Sequence, residues 1–321
     1  MCSLQLIVPD VNRIDRRGPT SYQPDEMRIG VAVVPGNCAT LADGDEVCGE
    51  IIFAIRDDVG RRRRQPIERP LYPDDALHRQ REVGHAFSGL GRATALALAQ
   101  AGADVILLAR SAEDLQQVLT ELGPSGRRGV VFPGDLADES YILNTVQRTL
   151  ELFGRIDILV NAAGIDVPAA VIQLTASEWD YVLAVNLRAP FLLAKAVFSH
   201  MSQARRGTII NISSVAGKRG WANASAYCAS KFGLTGLTQA LAAEGKAYGI
   251  RACILYPGGM ATHWGAWSST ERQAKPEQAP PVTKALPPAE VASLIVWMAA
   301  APAELVLNEV IISPLQEEGW P

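Results

Sequence analysis

The chain has 321 residues, 48% of them apolar and 20% charged, which is enough to bury a sizeable core in one large domain with an appendage. A formal net charge of -4 and a pI near 5.7 provide no basic field for nucleic acid or an anionic membrane, so the expected partner is a small molecule. Cys2, Cys38, Cys48, Cys228 and Cys253 show no CxxC spacing, which argues against a disulfide framework or a zinc site and for a reducing cytoplasm, with no metal expected.

Residues 1–80 carry several prolines and the run Arg61 to Arg64 without sustained hydrophobic period. They read as an irregular N-terminal extension, and the arginines as a solvated charge run. Two apolar runs within it, Ile29 to Val34 and Ile51 to Ile55, are candidates for a first strand. No apolar stretch approaches the roughly 20 residues needed to span a bilayer, and Pro9 and Asp10 break the short opening one, so neither anchor nor secretory signal is expected.

From about residue 86 the pattern alternates short apolar runs with longer alanine-rich helical segments. The predicted strands are Val105 to Ala109, Val130 to Phe132, Ile156 to Val160, Thr208 to Ile212, Arg251 to Tyr256 and Val306 to Ile312. Predicted helices include Leu90 to Ala101, a segment capped by Ser111 with Asp114, Glu178 to Met201 and Ser225 to Tyr248. Strands apolar on both faces and separated by helices define an α/β fold: a doubly wound, Rossmann-like parallel sheet forming a single main domain over 81–321.

The chemistry concentrates at Tyr227-Cys-Ala-Ser-Lys231, with Ser214 upstream at the end of the run Thr208 to Ile212. A four-residue spacing puts Tyr227 and Lys231 on one helical face. A nearby ammonium is expected to lower the phenol's pKa and ready it for proton exchange, while Ser214 can hydrogen-bond a substrate oxygen.

These residues stand in a larger set. Asn161-Ala-Ala-Gly164 resembles the NAG motif of the short-chain dehydrogenase/reductase family, in its classical branch. Asn186 in Val185-Asn186-Leu187, Ile209-Ile-Asn-Ile-Ser-Ser214 and Pro257-Gly258 followed by Thr262 are similar to that family's helix asparagine, serine strand and PGxxxT segment. The resemblance runs over about residues 86 to 315. It implies a hydride transfer between a nicotinamide cofactor and a carbonyl/alcohol substrate. Tyr227 would be the general acid or base, Lys231 would hold the nicotinamide ribose, Ser214 would orient the substrate, and Asn186 would complete a proton relay. Around the cofactor it implies Gly89, Leu90, Gly91, Asp135, Leu136, Asn161, Ala162, Gly164, Tyr227, Lys231, Pro257, Gly258 and Thr262. Arg110, at the end of the second strand, offers a cation for a 2'-phosphate, which favours NADP over NAD. A homodimer or homotetramer through the two long helices is implied as well.

The opening of the family pattern is broken. Its TGxxxGxG aligns with Gly84-His85-Ala86-Phe87-Ser88-Gly89-Leu90-Gly91, so His85 replaces the first glycine, and Leu77 to Val83 is no buried strand. Gly49 to Ile55 resembles the family's opening strand and Ala86 to Gly91 its continuation, so 56–85 reads as an insertion between them. The other reading is a diverged chain, a catalytically silent Rossmann-like binding or scaffolding protein. His263 to Pro288, with Trp264 and Trp267, stands where the family carries its substrate lid. Leu307-Asn-Glu-Val-Ile-Ile312 resembles family members ending in LNEVVIRP, a subgroup that includes dehydrogenases of small hydroxy acids.

Overall fold

The computed structural model describes residues 34–35, 51–55, 89–123, 129–260 and 285–316. Its eight strands are β1 (Val34–Pro35), β2 (Ile51–Ile55), β3 (Asp104–Arg110), β4 (Gly129–Val131), β5 (Ile158–Asn161), β6 (Gly207–Ile212), β7 (Ile250–Pro257) and β8 (Glu309–Ile312). Helices are α1 (Leu90–Gln100), α2 (Ala112–Leu122), α3 (Glu139–Phe153), α4 (Ala176–Leu183), α5 (Ala189–Ala204), α6 (Ser225–Gly245) and α7 (Pro288–Ala300).

One sheet takes the order β1-β3-β2-β5-β6-β7-β8, with β4 also on β3. Apolar β3, β5, β6 and β7 are almost wholly buried, because α1, α2 and α7 pack together on one side and α3 to α6 on the other. The helix starts are locally encoded. Ser111 accepts from the backbone N–H of Asp114 and Asp138 from that of Ser140, while Thr175 and Glu178 form a reciprocal capping box.

The predicted helix from Glu178 to Met201 is a continuous stretch from Ala176 to Ala204 with a π-helical turn, Ala184–Arg188, between α4 and α5. Its most apolar window has a mean hydropathy of 1.5 and is half buried inside the molecule. It is long and apolar enough to cross a membrane, but α5 lies against α3, α6 and β6, as a core helix of this fold does.

At the amino edge of the sheet Arg251, 9% exposed, joins three elements. Its guanidinium donates to the carbonyl of Ala299 in the last turn of α7, to those of Ala301, Pro302 and Leu305 beyond its end, and to the Thr208 hydroxyl on β6. A cation there meets the negative end of the helix and its unpaired carbonyls.

The first strand needs a correction. Ile51–Ile55 does occupy the central slot between β3 and β5, but it runs antiparallel to both, with Ile51 opposite Leu108 and Asn161 and Ile55 opposite Asp104. All other pairings in the sheet are parallel. The physical reason lies in symmetry and connection. Ile51, Ile52 and Phe53 are fully buried, and a strand apolar on both faces with partners on both sides satisfies its backbone in either direction. Only a tight strand-turn-helix connection would fix the direction, and 56–88 separates Ile55 from Gly89.

Candidate active site

β6 delivers Ser213 and Ser214 to the carboxyl edge, where the chain turns through Val215–Gly217. The Ser214 hydroxyl accepts from the Ala216 N–H at 3.2 Å. From the start of α6, Tyr227 and Lys231 stand one turn apart, both buried, at 6% and 3% exposed. Ser214 and the Tyr227 phenol are hydrogen-bonded. The Lys231 ammonium lies 5.7 Å from the Tyr227 ring centroid and donates to the Ile212 carbonyl at 3.0 Å.

The electrostatics differ from the expectation. Burial pushes the Tyr227 phenol well above its ordinary value; the Ser214 hydrogen bond pulls it down, while the nearby Asp166 carboxylate and Cys228 thiol push it up. The expected lowering by Lys231 is not seen, and desolvation dominates. The same burial lowers Lys231 to about 8.

Asn186 sits in the π-helical turn and is fully buried. Its Nδ2 donates to the Ile165 carbonyl at 2.8 Å and the Ser230 hydroxyl at 3.0 Å, while its Oδ1 accepts from the Ile165 N–H at 2.8 Å. With both amide hydrogens and the oxygen engaged, the side chain holds the backbone of Ile165 in place. Ile165 and Ser230, the partners that define this role, escaped the sequence reading, although both adjoin motifs it singled out.

The predicted cofactor residues gather along the same edge. Gly89 begins α1 with φ 155° and ψ -157°, a region essentially confined to glycine. Among the described residues the helix start has no side-chain cap, and its first turn has no acidic residue, an arrangement suited to an anion; Leu90 and Gly91 follow, both buried. At the end of β5 the Asn161 Nδ2 donates to Asn211 Oδ1 and the Asn211 Nδ2 to Thr238 Oγ1, each at 2.7 Å. The buried Asn161 Oδ1 has no hydrogen-bond partner among the described residues. Ala162 follows, and Gly164 faces the ammonium, since a Cβ there would lie 3.3 Å from Lys231 Nζ.

Asp135 uses one carboxylate oxygen to receive the Ala137 N–H, beside buried Leu136. Arg110 Nη1 donates to the Tyr181 hydroxyl on α4 at 3.0 Å, a partner no local pattern announces. Pro257 ends β7, and Gly258 donates to the Ile312 carbonyl at 2.7 Å. Met260 and Leu286 then pair, so the chain leaves and returns at one point. Thr262, Gly84, His85, Trp264, Trp267 and Arg61 to Arg64 lie outside the described residues.

Comparison with known proteins matches this architecture. The short chain dehydrogenase family model covers residues 83–273, more than half of the chain, beginning well after β2. A D-threitol dehydrogenase of Mycolicibacterium smegmatis is 36% identical over 70% of this chain and 86% of its own. Among solved structures, a metagenomic short-chain oxidoreductase in complex with NADP aligns with a TM-score of 0.61 and 33% identity over 71% of this chain and 93% of that one. Levodione reductase aligns with a TM-score of 0.63 and 33% identity, over 70% and 92%. The chain belongs to the short-chain dehydrogenase family. It is an NAD(P)-dependent oxidoreductase of that family by sequence and fold.

Proposed function

We propose that the protein interconverts a carbonyl and an alcohol with NADP(H), using Tyr227 as proton donor and acceptor. The observation that carries this reading is the buried pocket in which Ser214, Tyr227 and Lys231 meet at the carboxyl edge of the sheet. A phenol above its ordinary pKa keeps its proton at neutral pH, which suits donation to a carbonyl oxygen. Ser214 donates a hydrogen bond to that oxygen as charge develops on it. Lys231 then steadies the resulting phenolate, and the opposite direction runs through the same groups. Asn186 positions the wall of the pocket through Ile165 and Ser230.

NADP(H), when bound, supplies or accepts the hydride. The residues present fit it. Lys231 uses one of its three donors on Ile212, leaving others for ribose hydroxyls, and the absence of a side chain on Gly164 keeps the space beside the ammonium open. Gly89, Leu90 and Gly91 would hold the phosphates, and Asp135, Leu136, Asn161 and Ala162 the adenosine end. Pro257, Gly258 and Thr262 would flank the nicotinamide. Arg110 supports NADP rather than NAD.

A homodimer or homotetramer is proposed through α5 and α6. Phe191 and Phe232 are about half exposed, and an apolar cavity of about 480 Å³ is lined by Leu183, Leu187, Phe191 and Leu237. Free, buried Cys228 and Cys253 fit a reducing cytoplasm.

A second reading, a catalytically silent binding or scaffolding protein, draws on the reversed β2 and the orphaned Asn161 Oδ1. Titrating the full-length protein with NADPH, followed by fluorescence transfer to the nicotinamide, separates the two. Micromolar binding with carbonyl reduction is expected; no binding and no turnover would establish the silent reading.

A further inference from the structure

The turn that starts at Ser214 is closed on itself. The Ser214 carbonyl receives the Gly217 N–H at 2.8 Å, the Val215 carbonyl receives the N–H groups of Lys218 and Arg219, both at 3.0 Å, and the Ser214 hydroxyl receives that of Ala216. Ser214 and Lys218 are therefore the two ends of one small rigid body. Its middle rests on α6. A Cβ on Gly217 would lie 2.5 Å from Ser213 Oγ and 2.9 Å from the Lys231 carbonyl oxygen, so the turn meets the helix backbone at Lys231 itself. Thr235 Oγ1, one turn further on, lies 3.1 Å from the Lys231 carbonyl and 3.5 Å from that of Gly217.

A body seated at one point can still tilt, and its far end decides whether it does. There the Lys218 ammonium lies 4.4 Å from the Tyr256 ring centroid and pairs with Glu309 on β8. The other Glu309 oxygen receives Gln239 Nε2 of α6 at 2.8 Å. The strand β8 is itself fixed, because Glu309 stands opposite Ile254 on β7 and the Ile254 N–H donates to the Asn308 carbonyl at 2.9 Å. One carboxylate thus ties the serine turn to the helix of Tyr227 and Lys231 by a second path, with the sheet as its footing.

We propose, building on the oxidoreductase reading, that Glu309 is a positioning residue: by joining Lys218 to Gln239 it sets where Ser214 stands relative to the Tyr227 phenol. A carboxylate suits the task because it accepts from two donors at once, one on each oxygen, whereas a glutamine in its place would turn an N–H against one of them. The ion pair is about a third exposed, and such a pair adds little to stability, so its effect falls on placement rather than on melting.

The test places 3-fluorotyrosine at position 227 of the full-length, cofactor-free protein and reads its fluorine NMR signal. Ser214→Ala marks the signal of a phenol that has lost the serine. Glu309→Gln and Lys218→Met should each shift the signal in the same direction by a smaller amount, and Lys218→Arg, which keeps the cation, should restore most of the wild-type position. Glu121→Ala, which breaks the similarly exposed pair with Arg92, should leave it unmoved. Thermal melting checks that every variant is folded. A wild-type signal in both Glu309→Gln and Lys218→Met overturns the proposal, as does a phenol that ignores Ser214→Ala or responds as much to Glu121→Ala. NADPH titration stands apart: a wild type that binds no NADPH sinks the oxidoreductase reading, while the fluorine shifts still decide what Glu309 does to the serine turn.

Discussion

Around Tyr227, each participating side chain is delivered by an unbroken succession of strand, short turn and helix: β5 into Asn161 and Gly164, β6 into Ser214, α6 into the phenol and ammonium. Around Gly89 the helix start is in place, but the strand that should feed it ends at Ile55, on the far side of 56–88, and runs the other way. The two regions share one sheet and one buried core. Their difference teaches that burial chooses which residues enter a central slot, while the connection chooses their direction.

The sharpest break of this comparison is Tyr227→Phe. It removes the proton donor while leaving the ring, so carbonyl reduction should fall by about 10²- to 10⁴-fold with NADPH affinity unchanged. Steady-state rates beside cofactor titration check it; a loss of affinity matching the loss of rate would place Tyr227 in binding instead.

A second test concerns the burial that makes the catalytic region distinctive. Lys231 is lowered to about 8 from its ordinary 10.5, so between those values the unfolded chain holds a proton that the folded one has released. Stability should therefore rise with pH across that window, and the charged form below it should cost about 3 kcal/mol relative to a neutral side chain. Lys231→Met, followed by urea unfolding of cofactor-free protein, should show its largest relative gain below pH 8, shrinking toward pH 10.5. A difference flat with pH would mean that the ammonium is well solvated.

The smallest expected effect sharpens the other region. Deleting 56–85 and placing glycine at the junction restores a tight connection from Ile55 into the glycine turn. β2 should then run parallel, and NADPH affinity should rise on the order of tenfold, about the worth of one good hydrogen bond to a charged group. Fluorescence-transfer titration reads it. Equal affinity in both chains would show that strand direction does not matter to the cofactor.

Much of this was legible in the residues. The alternation of apolar runs and alanine-rich helices predicted six strands in nearly their observed places, because each run is closed by a local turn or cap. Ser214, Tyr227 and Lys231 were legible from spacing, since a strand end and a helical face put them together with little help from elsewhere, whereas Asn186 was singled out only through the family resemblance. The direction of β2 was not legible: a strand apolar on both faces carries no periodic mark of its orientation. Nor was the state of the Tyr227 phenol, which depends on burial by the whole pocket. The grip of Asn186 on Ile165 spans 21 positions, and the π-helical turn that aims it has no sequence signature of its own.

Arg251 gives this arrangement a further meaning. The guanidinium fastens β7, β6 and the tail of α7 at the edge of the sheet opposite Ser214 and Tyr227. Exchanges around Ser214 and Tyr227 leave that anchor untouched. The scaffold is thus free to drift toward new ligands on one rim while its foundations on the other keep it folded.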